Sequence, residues 1–124
     1  MNVVDSSGWL EYFADGKNAG VFANPIQDLE ALLVPTISLY EVFKHVLILR
    51  SEGDALRAVA TMQQGTVIDL DSDIAISAAK ISAVSKIPMA DSVMLASARA
   101  HGATLWSQDE DFADLAGVEY VEKE

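Results

Sequence analysis

The chain has 124 residues, a mass of 13.3 kDa and no cysteine, which excludes disulfides, thiolate metal sites, iron–sulfur clusters and thiol nucleophiles. Hydrophobic residues make up 51% of the chain and charged residues 22%, a balance that predicts a folded globular protein. The net charge of −11 opposes the approach of nucleic acid, so a phosphate substrate would require a metal ion or a local basic rim, whereas a basic partner is favoured.

Short β-type runs alternate with longer helical segments along the chain. The predicted strands are short apolar runs bounded by turn or capping residues, and they cover residues 2–5, 31–35, 66–70, 103–107 and 118–121. The predicted helices have apolar residues three and four positions apart. They cover a segment capped by Ser6 or Ser7 and broken at Gly16, then residues 18–24 as far as Pro25, 38–51, 54–64, a segment capped by Asp71, a segment from Pro88 to Gly102, and residues 109–115.

This alternation predicts the fold class. Strands separated by helices cannot pair as hairpins, so we expect an α/β fold with a mostly parallel sheet covered by helices on both faces. The length fits a single domain spanning residues 1–124. No stretch reaches the roughly 18 apolar residues that a membrane span requires. The first residues show no secretory signal, so we expect a cytoplasmic protein without membrane contact.

Ligands of open parallel sheets bind beyond the carboxyl ends of the strands, where several acidic residues are expected. Asp5 ends the first predicted strand, Glu41 lies in about the first turn of the helix after the second strand, and Asp109 follows the fourth. Asp91 lies in the first turn of the helix that begins at Pro88. Because that helix leads into the fourth strand, Asp91 joins the others only if residues 86–90 cross back over the top of the sheet.

Each of these acidic residues also has a purely structural explanation. Asp91 and Asp109 lie near helix starts, where a carboxylate is favoured by capping and by the helix dipole. Glu41 is less easily explained, because its neighbours are apolar or aromatic and a carboxylate there requires a partner. A competing acidic cluster follows the third strand, and we interpret it as capping and solvated residues: Asp69, Asp71 and Asp73.

Four segments together resemble the acidic motifs of PIN-domain proteins, most closely the VapC-type toxins of toxin–antitoxin pairs. The segments are Val3-Val4-Asp5-Ser6-Ser7, then Val34-Pro35-Thr36 with Tyr40-Glu41-Val42, then Met89-Ala90-Asp91-Ser92, and Ser107-Gln108-Asp109-Glu110-Asp111-Phe112. They occur in the family's order and cover nearly the whole chain. The resemblance implies a three-layer sandwich with a mostly parallel sheet in the order 3-2-1-4-5.

The resemblance also implies a Mg²⁺- or Mn²⁺-dependent ribonuclease. Its four acidic catalytic positions correspond to Asp5, Glu41, Asp91 and Asp109. We expect Asp5, Asp91 and Asp109 to bind metal, with Glu41 at a second ion or orienting water. Oxygen ligands suit either ion, and a divalent cation offsets a repulsion of about 4 kcal/mol between two unit charges about 4 Å apart. Three further residues are candidates for a supporting role around the metal ligands: Ser7, Ser107 and Asp111.

The resemblance implies partners as well. They are an RNA substrate, a cognate VapB-type antitoxin that blocks the acidic site, and a second copy of the chain in a homodimer. The helix over 38–51 offers apolar side chains that are either dimer surface or ordinary core: Phe43, Val46, Leu47 and Leu49. Three aromatic residues could stack on RNA bases or belong to the core: Trp9, Tyr12 and Tyr40.

Two other functions remain as alternatives. A receiver domain also collects acidic residues at strand ends, but it requires a particular lysine after its last strand. Here the last predicted strand is followed only by Glu122-Lys123-Glu124, which argues against a receiver domain. A PIN-like domain that has lost catalysis and binds proteins as a scaffold differs from the enzyme in one measurable property. It leaves RNA intact in the presence of Mn²⁺.

Overall fold

The computed structural model describes residues 1–124 and contains a single five-stranded sheet. Its strands are β1 (Asn2–Val4), β2 (Leu32–Pro35), β3 (Thr66–Ile68), β4 (Thr104–Ser107) and β5 (Val118–Tyr120). The spatial order is β3-β2-β1-β4-β5, and every neighbouring pair is parallel. The predicted fold class and strand order are therefore confirmed, and β1, which precedes Asp5, lies in the centre.

Six α-helices connect and cover the strands. They are α1 (Ser6–Phe13), α2 (Ala19–Gln27), α3 (Thr36–Leu49), α4 (Glu52–Met62), α5 (Ser72–Ser85) and α6 (Met89–Ala100). Two single 3₁₀ turns complete the chain, at Leu29–Ala31 and Glu110–Phe112. No helix is long and apolar enough to cross a membrane.

The core has two parts because successive residues of a strand point to opposite faces of the sheet. On one face Val4 and Val34 pack with residues of α1, α2, α3 and α4, including Trp9 and Phe22. On the other face Val3 packs with residues of α6 and with Phe112 of the second 3₁₀ turn. The result is the predicted three-layer sandwich.

Gly8 allows α1 to pack closely on the sheet. A Cβ atom at this position would lie 2.7 Å from the ring of Phe22 and 2.8 Å from Cγ1 of Val4. Real side chains do not tolerate such contacts, so only glycine permits this spacing. The spacing matters for the site described below because α1 begins directly after Asp5.

Four predicted helices differ from the structure in their bounds. The helices predicted over 38–51 and 54–64 begin and end two residues earlier, as α3 (Thr36–Leu49) and α4 (Glu52–Met62). The second predicted helix was expected to end at Pro25, but α2 continues to Gln27, with Pro25 and Ile26 both buried. The last was expected over 109–115, but only the 3₁₀ turn Glu110–Phe112 forms. There the Asp109 carboxylate accepts a hydrogen bond from the N–H of Asp111, a local turn that competes with an α-helix.

Helix α5 brings the chain back to the carboxyl edge of the sheet. Only residues 86–88 join α5 to α6, and the two helices share a buried cluster that includes Ile74, Ala78, Val93 and Ala96. They therefore form an antiparallel pair. Since α6 runs from the carboxyl edge towards the start of β4, α5 runs towards that edge. The sequence left open whether residues 86–90 carry the chain to the edge where Asp5 lies. In the structure α5 does so.

The end of α3 leaves apolar side chains in solvent. Leu47 is 42% exposed, Ile48 69% and Leu49 67%, whereas Val46 is partly buried against the core. Of the four residues that the sequence offered as dimer surface or core, Leu47 and Leu49 are thus surface residues. Val46 packs against the core, and Phe43 is partly buried.

Candidate metal centre

Asp5 follows the central strand β1 and is almost completely buried, with 3% of its surface exposed. Its Oδ2 accepts hydrogen bonds from Ser7 Oγ at 2.8 Å and from Ser107 Oγ at 2.9 Å. Burial raises the pKa of Asp5, while these two hydroxyls oppose the rise by stabilising the carboxylate. The sequence predicted that Ser6 or Ser7 caps α1. This prediction is wrong, because neither side chain caps the helix. Asp5 itself occupies the N-cap position, also without a side-chain cap bond.

Glu41 is held beside Asp5 by a residue that the sequence reasoning missed. Because α3 begins at Thr36, Glu41 lies in its second turn, not its first. Ser6 Oγ donates a hydrogen bond of 2.7 Å to Glu41 Oε1, and the charge of Glu41 contributes to the raised pKa of Asp5. The one sequence signal for Ser6 is its position, a small hydroxyl directly after a strand-end aspartate.

The surroundings of Asp91 also raise the pKa of its carboxyl group. Its pKa is raised from 3.8 to about 7, first by burial, then by the charges of Asp5 and Asp109, and also by a hydrogen bond and the charge of Asp111. Asp91 therefore lies at the same edge of the sheet as Asp5. The predicted site required Asp91 to lie near Asp5 and Asp109, and the structure brings these distant parts of the chain together.

Asp109 and Asp111 complete the cluster. One carboxylate oxygen from each of Asp91, Asp109 and Asp111 lies within 4.8 Å of the others, close enough to hold one metal ion. Ser107 Oγ accepts a hydrogen bond of 2.9 Å from the N–H of Asp109 and so joins this group to Asp5. The geometry gives Asp111 a more central position than the sequence did, and places Asp5 next to the trio and not within it.

No basic side chain compensates these charges. The ion pairs of the molecule join Arg50 and Arg57 to Asp54, away from the cluster. The raised pKa of Asp91 indicates that a proton relieves the repulsion in this cluster, and an external cation would offset the same charges. An uncompensated set of oxygen ligands without histidine or cysteine fits a hard divalent cation such as Mg²⁺ or Mn²⁺.

The competing residues do not join the site. Asp71 caps α5, since its Oδ1 accepts a hydrogen bond of 2.9 Å from the N–H of Ile74, and Asp69 and Asp73 are exposed. Among the aromatic candidates for base stacking, Trp9 is buried and Tyr12 packs against it edge to face. Tyr40 is 61% exposed, with the Lys44 ammonium 5.8 Å from its ring centre.

Comparison with solved structures shows the same fold in several proteins, among them a toxin–antitoxin complex and a toxin. A toxin–antitoxin complex from Klebsiella pneumoniae has a TM-score of 0.81 at 20% identity, over 95% of each chain. VapC20 from Mycobacterium tuberculosis, described as a toxin that cleaves the sarcin-ricin loop, has a TM-score of 0.80 at 17% identity, over 96% of this chain and 98% of that one. FitAcB from Neisseria gonorrhoeae has a TM-score of 0.76 at 21% identity, over 95% and 96%.

Sequence comparison identifies the family. No curated protein matches the chain significantly. The family described as the PIN domain, however, matches residues 3–118, which include every acidic residue of the cluster. With this match, with the strand order β3-β2-β1-β4-β5 and with the acidic cluster at the carboxyl edge, we conclude that the chain belongs to the PIN domain family.

Proposed function

We propose that this protein is a Mg²⁺- or Mn²⁺-dependent endoribonuclease and acts as the toxin of a type II toxin–antitoxin pair. The observation that carries the proposal is the convergence of Asp5, Asp91, Asp109 and Asp111 without a compensating basic side chain. The similarity of fold to toxin–antitoxin proteins, one of them described as an RNA-cleaving toxin, supports RNA as the substrate.

Each residue of the cluster has a role in this proposal. Asp91, Asp109 and Asp111 would hold the cation, and Asp5, next to this trio, would supply a further oxygen. A bound divalent cation would stabilise the negative charge that develops on the phosphodiester during hydrolysis. Ser7 and Ser107 fix the carboxylate of Asp5 through their hydrogen bonds.

Glu41 has a different role from that of the metal ligands. Its Oε1 is held by Ser6, which leaves Oε2 to orient an attacking water or accept its proton. Preorganised oxygens of this kind favour a positioned water over bulk solvent, because reorientation is not required at the moment of reaction.

Cleavage of a short RNA by the purified protein tests the proposal. With Mn²⁺ we expect the wild type to cut the RNA, and Asp5→Asn and Asp91→Asn to lose at least about a hundredfold in rate, since each removes a cation ligand. Asp73→Asn, at an exposed position in the first turn of α5, is the matched control and should keep the wild-type rate. Equal cleavage by all four proteins would mean a contaminating nuclease or a different site. Intact RNA with the wild type would favour the protein-binding scaffold.

A small antitoxin is the partner that this proposal requires. The net charge of −11 suits a basic or amphipathic segment lying over the acidic edge. We expect production of the wild type to arrest growth of a host cell, Asp91→Asn to be tolerated, and co-production of the cognate antitoxin to restore growth. Arrest by Asp91→Asn to the same extent would separate toxicity from the acidic site.

A homodimer completes the proposal. The exposed side chains Leu47, Ile48 and Leu49 at the end of α3 give it apolar surface to bury. Light scattering should give a mass of about twice 13.3 kDa for the wild type and a monomer for Leu49→Glu. A wild-type monomer at micromolar concentration would contradict this part.

A further inference from the structure

A second polar feature lies directly beside the acidic cluster. A cavity of about 410 Å³ shares Ser7 and Asp109 with the site and extends from them along the carboxyl ends of β4 and β5. Its remaining lining comes from Gln108, Glu110, Tyr120, Glu122 and Lys123. The volume can hold a nucleobase or a nucleoside, and any group bound there would lie next to the proposed reaction centre.

The buried amide of Gln108 provides the cavity with an oriented donor. Gln108 is 5% exposed, and its Oε1 accepts a hydrogen bond of 3.0 Å from Nδ2 of Asn18, which is 4% exposed. The same Nδ2 donates to the backbone oxygen of Glu122 at 3.1 Å. Because Asn18 donates its hydrogen bond to Oε1 of Gln108, the Nε2 atom of Gln108 is the one left for a ligand. The only protein acceptor for Nε2 is the backbone oxygen of Ser7, at 3.5 Å.

Tyr120 adds an aromatic ring to the same cavity. It is the last residue of β5, is partly exposed, and lies opposite Ser107 in the register with β4. Aromatic rings beside a single strand of RNA offer their faces to the bases, and stacking of this kind is worth about 1–3 kcal/mol per base.

The charges of the cavity select the part of RNA that fits. Three carboxylates, from Asp109, Glu110 and Glu122, outnumber the single ammonium of Lys123. A phosphate group is therefore repelled, whereas a neutral base that donates amino hydrogens to a carboxylate is favoured.

We propose that this cavity binds the nucleobase next to the cleaved phosphodiester, with Tyr120 stacking on it, Gln108 Nε2 donating to one of its ring or carbonyl acceptors, and a carboxylate accepting from its amino group. The inference rests on the proposed RNA-cleaving function. It assigns Gln108 and Tyr120 as specificity-determining residues and Asn18 as the positioning residue for Gln108. Bases with an exocyclic amino group, adenine, cytosine and guanine, are preferred over uracil at that position.

The test is a cleavage assay on short RNAs that differ only in the two bases flanking one phosphodiester. With Mn²⁺, the wild type should show a preference of about tenfold for amino-bearing bases over uracil at one flanking position. Tyr120→Ala and Gln108→Ala should flatten this preference and raise KM more than they lower kcat. Tyr120→Phe, which keeps the ring, should retain it. Gln64→Ala, an exposed glutamine after α4, is the matched control and should behave as the wild type.

The outcomes separate this inference from the function on which it rests. Cleavage with an unchanged base preference and KM in both alanine variants overturns the nucleobase site and leaves the ribonuclease standing. Absence of cleavage by the wild type overturns the ribonuclease and the nucleobase site together. Because Gln108 is buried, its alanine variant is assayed below its melting temperature. Tyr120→Ala, at a partly exposed position, tests the proposal even if Gln108→Ala does not fold.

Discussion

At the scale of single residues, the raised pKa of Asp91 makes stability depend on pH. Below about pH 3.8 the carboxyl is protonated in the folded and the unfolded protein alike. Between there and the folded value of about 7, the folded protein holds a proton that the unfolded chain has released. By linkage, the free energy of unfolding decreases as the pH rises through this interval.

Asp91→Asn removes the ionisable group and should therefore stabilise the metal-free protein. In buffer with a chelator, we expect the variant to melt at a higher temperature than the wild type at pH 8, because the wild type then carries an unfavourable charge beside Asp5 and Asp109. The difference should narrow as the pH is lowered to 4. Thermal unfolding followed by circular dichroism measures both trends. A variant that melts below the wild type at pH 8 would show that the charges do not repel as described.

Ser6 gives a second prediction at this scale. Ser6→Ala removes the hydrogen bond to Glu41 Oε1, so Glu41 loses its fixed orientation while all metal ligands remain. We expect kcat for RNA cleavage to decrease about tenfold with little change in KM. The loss of stability should be about 1 kcal/mol. Ser85→Ala, at an exposed serine at the end of α5, serves as control. An unchanged kcat in Ser6→Ala would remove Ser6 from the positioning of Glu41.

At the scale of elements, the packing of α1 determines where Asp5 and its serines lie. Gly8→Ala places a methyl group 2.7 Å from the Phe22 ring, so we expect the protein to lose about 1–3 kcal/mol of stability. Gly20→Ala is the matched control, because Gly20 lies within α2 and no atom lies within 4 Å of an added Cβ. That substitution should gain about 0.5–1 kcal/mol. Denaturant unfolding distinguishes the two, and equal changes would contradict the close approach of α1.

The positions of most strands and helices were predictable from the sequence. Apolar runs bounded by capping residues located all five strands, and the Asp71 cap located the start of α5. The direction of α5 was not predictable, because periodicity indicates which face of a helix is buried but not which way the helix runs across a sheet. The resemblance of the motifs, and not the alternation of elements, placed Asp91 with Asp5.

Side-chain partners within the site were predictable only in part. The acidic positions follow from strand ends and motif spacing, but hydrogen bonds between residues far apart in the chain do not. Ser6 reaches Glu41 across 35 positions, and Asn18 reaches Gln108 across 90. Tyr120 carries no sequence signal that distinguishes it from Tyr12, which packs in the core.

At the scale of the whole molecule, the fold concentrates unfavourable charge in one place within an already acidic protein. The cluster has no basic partner, and the net charge of −11 adds to its negative potential. A structure of this kind gains stability from a cation that binds only the folded state. The central claim is therefore that Asp5, Asp91, Asp109 and Asp111, which come from three distant parts of the chain, form one divalent-cation site.

Calorimetric titration of the metal-free protein with Mn²⁺ tests this claim most directly. The wild type should show saturable binding that weakens at least about tenfold in Asp91→Asn, because a carboxylate ligand is lost. Asp73→Asn, which removes an equal charge from an exposed position, should bind Mn²⁺ as the wild type does. No saturable binding by the wild type, or equal weakening in both variants, would contradict a common cation site.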